Sequence, residues 1–336
     1  MPVTIERTAP NLANLRERRL RRGVIQDRGR RLRIELVNNM PDAAVSATQR
    51  QFVLLLEEAA QTYDVTLGLM TLASIERTSE SRREMAELYR PPSALSAATD
   101  AIIVTGAEPR AANLEDEPYW RELTNLFDAA RALTHATLAS CLAAHALVLY
   151  RDGVRRRPYQ RKCSGLYVAS VVAAQPLTAG LKPGPVPHSR WNGLDEAELV
   201  AKGYVALTRA GEAGVDMFVK DDGHLTLFFQ GHPEYDGDTL AREYRRDVAR
   251  ALTGAPAPLP PRNYYAPETE ARLRAHVARM LAGVETPHLP SYALAGPRPS
   301  WRARGGVVLA NWLAEISARK QGASGPTFLR ARAGGR

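Results

Sequence analysis

Three side chains in this sequence have the types and surroundings that covalent catalysis requires. Cys141 stands in Leu138-Ala-Ser-Cys-Leu-Ala-Ala-His145, where a short apolar run passes into an alanine-rich run of helical character. A thiol at such a strand-to-helix corner sits on a helix N-terminus, whose partial positive charge stabilises a thiolate. The backbone N–H of Leu142 can then face an oxyanion formed beside the sulfur. This is the logic of the nucleophile elbow, with cysteine in place of serine. Taken alone, the pattern also describes a small buried packing cysteine. Further along, Phe228-Phe-Gln-Gly-His232-Pro-Glu234-Tyr-Asp236 ends another apolar run with His232 and Glu234 two positions apart. A cysteine nucleophile needs a base, and the base needs an orienting carboxylate. His232 and Glu234 supply both if Gly231 and Pro233 turn the chain so that carboxylate meets imidazole.

The elements that must position these groups follow from periodicity. Leu32–Val37, Tyr63–Met70, Asp100–Thr105 and Thr134–Ser140 are short apolar strand candidates. Helical spacing separates them, over Ala47–Ala60, Trp120–Ala132 and Leu142–Tyr150. Strands alternating with helices predict an α/β fold, a parallel sheet with helices on both faces. The second half is richer in strands: Val168–Ala173, Val215–Lys220 and Leu225–Gln230, with Gly223 and His224 in the turn between the last two. Thr239–Leu252 reads as an amphipathic helix. Residues 254–300 hold many of the 23 prolines and read as an extended connection with one helix, Thr269–Leu281; Val307–Arg319 is the last helix. The expected organisation is a basic arm over 1–33, one domain over 34–315 and a flexible tail over 316–336.

Composition bounds the function. With 45% hydrophobic and 24% charged residues, the 336-residue chain is that of a folded globular protein. Two cysteines 22 positions apart, without a CxxC, make neither a disulfide framework nor a zinc site, and the seven histidines lack ligand spacing. No phosphate-binding glycine loop of dinucleotide or Walker type appears, so no cofactor is expected. No apolar run is long enough to span a membrane, and the start of the chain lacks a signal core, which favours the cytoplasm. The net charge of +9 is concentrated in residues 1–33, whose ten arginines against three acidic residues leave +7. No aromatic residues interleave those arginines, which argues against a nucleic-acid partner and for a solvated or packed arm.

At these residues the sequence resembles the amidotransferase-like homoserine O-acyltransferases, the O-succinyl and O-acetyl transferases of methionine biosynthesis. The resemblance covers roughly residues 30–315. It runs through Asn39-Met-Pro, Gln51-Phe, Val104-Thr-Gly-Ala107, Tyr119-Trp120, Cys141, Lys162-Cys-Ser-Gly-Leu-Tyr167 and Pro187-His-Ser-Arg190. It continues in Gly231-His-Pro-Glu-Tyr-Asp236, Arg246-Asp247, Asn263-Tyr and Ser300-Trp-Arg…Asn311-Trp-Leu. The resemblance implies a flavodoxin-like sheet of the class I glutamine amidotransferase type. It also implies Cys141 as the thioester-forming nucleophile, His232 as base and Glu234 as its partner. Lys162, Ser189 and Arg246 would bind the amino-acid substrate, and the backbone of Gly106, Ala107 and Leu142 would form the oxyanion hole. Acyl-CoA and L-homoserine would be the substrates, CoA leaving as product rather than staying as cofactor, and the enzyme would be a homodimer.

The pattern departs from the family in three places. The third residue after the Thr-Gly-Ala tripeptide, which in the family governs acyl choice (Gly with succinyl, Glu with acetyl), is here Arg110. An arginine could pair with a succinyl carboxylate, so succinyl is favoured over acetyl; pointing to solvent or to CoA phosphates, it would leave acetyl open. The proline-rich stretch 254–300 and the basic arm are the other two departures, and with them serine stays open as an acceptor. A glutamine amidotransferase or amidase is the competing enzyme class. Its elbow usually carries glycine on both sides of the cysteine, whereas this chain has Ser140-Cys-Leu-Ala143.

Overall fold

The computed structural model describes residues 3–6, 30–285 and 288–323. Its elements in chain order begin with strand β1 (Val3–Ile5), β2 (Arg31–Val37), helix α1 (Asp42–Ala59), β3 (Asp64–Met70), α2 (Ser79–Ala86) and β4 (Tyr89–Arg90). Then come β5 (Ala101–Val104), α3 (Trp120–Leu133), β6 (Ala136–Ser140), α4 (Leu142–Asp152), β7 (Arg157–Val171) and β8 (Gly184–Gly193). The chain closes with α5 (Glu196–Ala201), β9 (Val205–Arg209), β10 (Val215–Asp221), β11 (Leu225–Phe229), α6 (Thr239–Ala251), α7 (Pro267–Leu281) and α8 (Trp301–Lys320).

One sheet organises them, in the order β1-β3-β2-β5-β6-β11-β10-β9-β7-β8, with β4 paired to β3. The run β3-β2-β5-β6-β11 is parallel throughout. Counted within that run, the order is 2-1-3-4-5, the flavodoxin-like winding, in which ligands bind beyond the carboxyl ends of the strands. Helices cover both faces. Leu32, Ile34 and Leu36 pack toward Phe52, Leu55 and Leu56 of α1 and Trp312 and Leu313 of α8. Val37, Ile102 and Val104 pack toward Leu126 and Phe127 of α3 and Leu147 of α4. This double burial is why β5 is an unbroken apolar run and why every residue of β11, Thr226 included, is buried.

The parallel sheet expected from the alternation is thus the centre of a mixed one, because β10, β9, β7 and β8 extend it antiparallel. The links 210–214 and 222–224 between these strands are too short for a parallel crossover. Two expected boundaries move. The arm contributes β1, which pairs with β3, and Arg31 and Arg33, which lie in β2; residues 7–29 are outside the described part. The tail begins later than expected: α8 runs to Lys320 with Ile316 fully buried, and residues 324–336 are outside the described part. Among the described residues no helix is long and apolar enough to cross a membrane.

Candidate active site

The parallel strands end side by side, and the candidate residues sit on those ends. Ser140 of β6 lies opposite Phe229 of β11, so Cys141 is brought beside Gln230 and the loop carrying His232. Cys141 donates its N–H to Phe229 O at 2.7 Å. Its backbone has φ 52° and ψ −109°, a left-handed conformation rare outside glycine, which costs about 1–3 kcal/mol and marks the sharp elbow between β6 and α4. Half-buried Cys141 occupies the N-cap position of α4 without a side-chain cap hydrogen bond, and the Leu142 N–H beside it belongs to the first turn and has no intrahelical acceptor. Gly106, at the end of β5, backs onto that amide: a Cβ on it would lie 3.3 Å from Leu142 N and 3.2 Å from Leu142 Cβ. Glycine thereby lets the Gly106–Ala107 backbone approach the elbow.

His232 is buried. Its Nδ1 meets Glu234 Oε1 at 2.8 Å, its N–H donates to Pro187 O at 2.8 Å, and its ring stacks on Tyr235 at 4.2 Å. Burial alone would lower the imidazole. The charge of Glu234 and the charge and weak hydrogen bond of Cys141 outweigh it, holding His232 well above the ordinary imidazole value. Nε2 is buried with no hydrogen-bond partner, and Cys141 is close enough for its charge to act on the ring. The neighbouring histidines are different. Burial pushes His145 down to about 3, with Nε2 against Gln230 Oε1 at 3.1 Å. Burial also lowers His188, 3.3 Å from Asp216 Oδ1. The loop itself is clamped: Asp236 binds Gln51 of α1 at 3.1 Å and Arg302 of α8 at 2.6 Å, while Trp301 Nε1 donates to Tyr235 O at 2.9 Å.

Beside this triad lies a polar cluster. Lys162 of β7 reaches Asp247 Oδ2 at 2.7 Å and Glu243 Oε2 at 3.4 Å, Ser189 of β8 donates to Glu243, and Tyr235 donates its hydroxyl to Glu243 Oε1 at 2.8 Å. Burial would raise Glu243; the Lys162 charge, the Ser189 hydroxyl, Arg246 and Tyr235 together hold it below the usual carboxylate range. Arg246, on the same face of α6, is half-exposed and bonds Asp247 Oδ1 at 3.1 Å.

The expected residues are therefore gathered in two adjoining groups: Cys141, His232 and Glu234 with Gly106, Ala107 and Leu142, and Lys162, Ser189 and Arg246 around α6. Arg110 joins neither; its side chain is 65% exposed and pairs with Glu76. Sequence reasoning missed Glu243, the acceptor on which three donors converge. Its signal was the i, i+3, i+4 stripe Glu243, Arg246, Asp247 on one helix face, which a solvated helix shows equally.

Fold and site together define a class: a doubly wound α/β domain that presents a cysteine elbow, a buried imidazole and a carboxylate at the carboxyl ends of its parallel strands. Comparison with known proteins narrows it. The family profile described as homoserine O-succinyltransferase matches residues 2–321, and the chain belongs to that family. It is 46% identical over 299 residues to the homoserine O-succinyltransferase of Methylorubrum extorquens, covering 86% of this chain and 88% of that one. It is 37% identical over 330 residues to that of Allochromatium vinosum, covering 94% and 92%. Among solved structures, a glutamine amidotransferase from Methylobacillus flagellatus is similar at 14% identity and a TM-score of 0.47, over 90% of this chain and 99% of that one.

Proposed function

We propose that this protein is an acyl-CoA:L-homoserine O-acyltransferase that prefers the succinyl donor and works through a Cys141 thioester, at the committed step of methionine biosynthesis in a reducing cytoplasm. The observation that carries the reading is the Cys141 elbow beside a buried imidazole raised by Glu234 and by the sulfur itself. The cysteine sulfur attacks the thioester carbonyl, and the amides around Gly106, Ala107 and Leu142 face the developing oxyanion. The bond to the CoA sulfur breaks, and CoA takes the His232 proton as it leaves. Acylation removes the thiolate charge that helped to raise His232, so the imidazole is freed to act as a base. It then takes the homoserine hydroxyl proton as that oxygen attacks the acyl carbon and the carbon–sulfur bond to Cys141 breaks.

The polar cluster suits the acceptor. Arg246 can take the homoserine carboxylate bidentately and Lys162 adds a second positive charge. Ionised Glu243 fits the ammonium, and Ser189 lies where it can meet the hydroxyl end. Each such contact is worth roughly 1–3 kcal/mol. Support for succinyl comes from the relatives, which are homoserine O-succinyltransferases, and from Arg110, a cation on the loop that follows β5.

The test is direct. Incubated with succinyl-CoA and no acceptor, the protein should gain the mass of one succinyl group on Cys141, and homoserine should discharge it as O-succinylhomoserine. Cys141→Ala should give neither adduct nor turnover. Normal turnover by that variant would end the covalent mechanism, and glutaminase activity without acyl transfer would move the protein to the amidotransferase class. Serine discharging the adduct faster than homoserine would move the acceptor.

A further inference from the structure

Between the triad and the polar cluster stands one buried side chain, Tyr235. A face of its ring lies on the His232 imidazole, the centroids 4.2 Å apart and the planes 16° from parallel. At the far end its hydroxyl donates to Glu243 Oε1 at 2.8 Å. The ring also packs with Leu240 and Ala241 of α6 and with Tyr264. The backbone that carries it is fixed separately: its N–H donates to His232 O at 3.2 Å, and its carbonyl accepts from Trp301 Nε1 of α8 at 2.9 Å. A side chain with two rotatable bonds, held at its backbone, its face and its tip, is left with one rotamer.

Each contact does something its neighbours do not. The bond from Nδ1 to Glu234 fixes one atom of the His232 ring but leaves the ring free to turn about that bond; the stack on Tyr235 fixes its plane. The electron-rich phenol face also favours an imidazolium. At the other end, Glu243 accepts through both oxygens, from Tyr235 on Oε1 and from Ser189 and Lys162 on Oε2. The two donors on Oε2 come from β7 and β8, whereas Tyr235 comes from the loop of His232 itself. Burial, followed by the charges of Glu243, Glu234 and Cys141, holds its hydroxyl well above the ordinary phenol value, so it stays protonated and serves Glu243 as a donor.

We propose that Tyr235 is a positioning residue that fixes the Glu243 carboxylate and the His232 imidazole relative to each other: its face sets the plane of the imidazole, its hydroxyl sets Glu243, and an acceptor whose ammonium binds Glu243 is thereby placed for deprotonation. The proposal rests on the acyl-CoA:homoserine reading above.

The experiment separates the two half-reactions of the intact enzyme. Acylation by succinyl-CoA without acceptor is followed as CoA release and adduct mass, and discharge of the preformed acyl-enzyme is followed across a homoserine series. The variants are Tyr235→Phe, Tyr235→Leu, Glu243→Ala and the Tyr235→Phe, Glu243→Ala double, with melting temperatures to confirm folding. Tyr235→Phe keeps the face and loses the hydroxyl. Its acylation should stay within about twofold of wild type, while the homoserine concentration for half-maximal discharge rises about tenfold, the worth of one hydrogen bond to a charged group. The double variant should discharge no worse than Glu243→Ala, because the hydroxyl acts through that carboxylate. Tyr235→Leu removes the face and should slow acylation by about tenfold or more. Unchanged discharge in Tyr235→Phe overturns the proposal. So do equal losses of acylation and discharge in that variant, which would leave Tyr235 a packing residue, additive losses in the double variant, and a folded Tyr235→Leu enzyme that acylates at the wild-type rate. If the wild type forms no acyl-enzyme with succinyl-CoA, the acyl-CoA reading itself fails; if it does and Tyr235→Phe behaves as wild type, only the role of Tyr235 does.

Discussion

On the proposed mechanism His232 is the residue on which the chemistry turns, because Glu234 and Cys141 raise it and acylation would remove the second of these influences. Replacing Glu234 by Gln keeps the shape but removes the larger of those charges. We expect kcat/KM to fall about 10²-fold or more, and the basic limb of its pH profile to move to lower pH, read from initial rates across pH. The same shift appears in stability. An imidazole raised in the folded state stabilises fully below its ordinary value and loses that contribution as pH rises through the raised value. Chemical denaturation of Glu234→Gln and wild type should therefore differ most at acidic pH and converge at alkaline pH; a gap that widens with pH would contradict the raised imidazole. This triad was legible in the sequence because the strand-to-helix change at Cys141 and the Gly-His-Pro-Glu turn are local signals. Glu243 was not, since a carboxylate on an amphipathic helix looks solvated until the hairpin packed against it is known.

At the scale of elements, the proposed oxyanion hole depends on how closely the end of β5 and the start of α4 approach. A Cβ on Gly106 would press on Leu142 Cβ and N, so Gly106→Ala should push the loop off the elbow. The expected loss is about 10²-fold in kcat, as when one oxyanion donor is displaced, with the KM for homoserine nearly unchanged; stopped-flow acylation would show it, and unaltered acylation would remove Gly106 from the oxyanion side. The expected central strands and helices match the structure to within a few residues because burial on both faces leaves plain apolar runs. Strand β8 was not predicted; it carries Pro185 and Pro187, which an edge strand accepts where no ladder N–H is needed. Strand β1 is three residues long and carries no period to read.

The whole molecule is held by two apolar layers meeting on one sheet. Trp312, fully buried in the α1–α8 layer, is remote in sequence from every site residue. Trp312→Ala should lose about 3–5 kcal/mol of stability, seen in the urea midpoint, while succinyl-CoA still acylates the folded fraction at low temperature; a midpoint within experimental error of wild type would show that the layer repacks. The alternation of apolar runs and helices predicted a parallel sheet covered on both faces, while the flavodoxin-like winding followed only from the family resemblance. The antiparallel extension was only hinted at by the strand-rich second half, since no local signal says where a sheet stops being parallel.

That extension carries a consequence. Lys162 and Ser189 come from a hairpin at the rim, while Cys141 and Gly106 come from the doubly wound centre. On the proposed mechanism, acyl capture falls to the doubly wound centre, while acceptor binding draws on the hairpin together with Glu243 and Arg246 of α6. Acceptor choice can drift through the hairpin while acyl capture stays intact, as kinetic partitioning of hairpin variants between normal acylation and altered discharge would reveal.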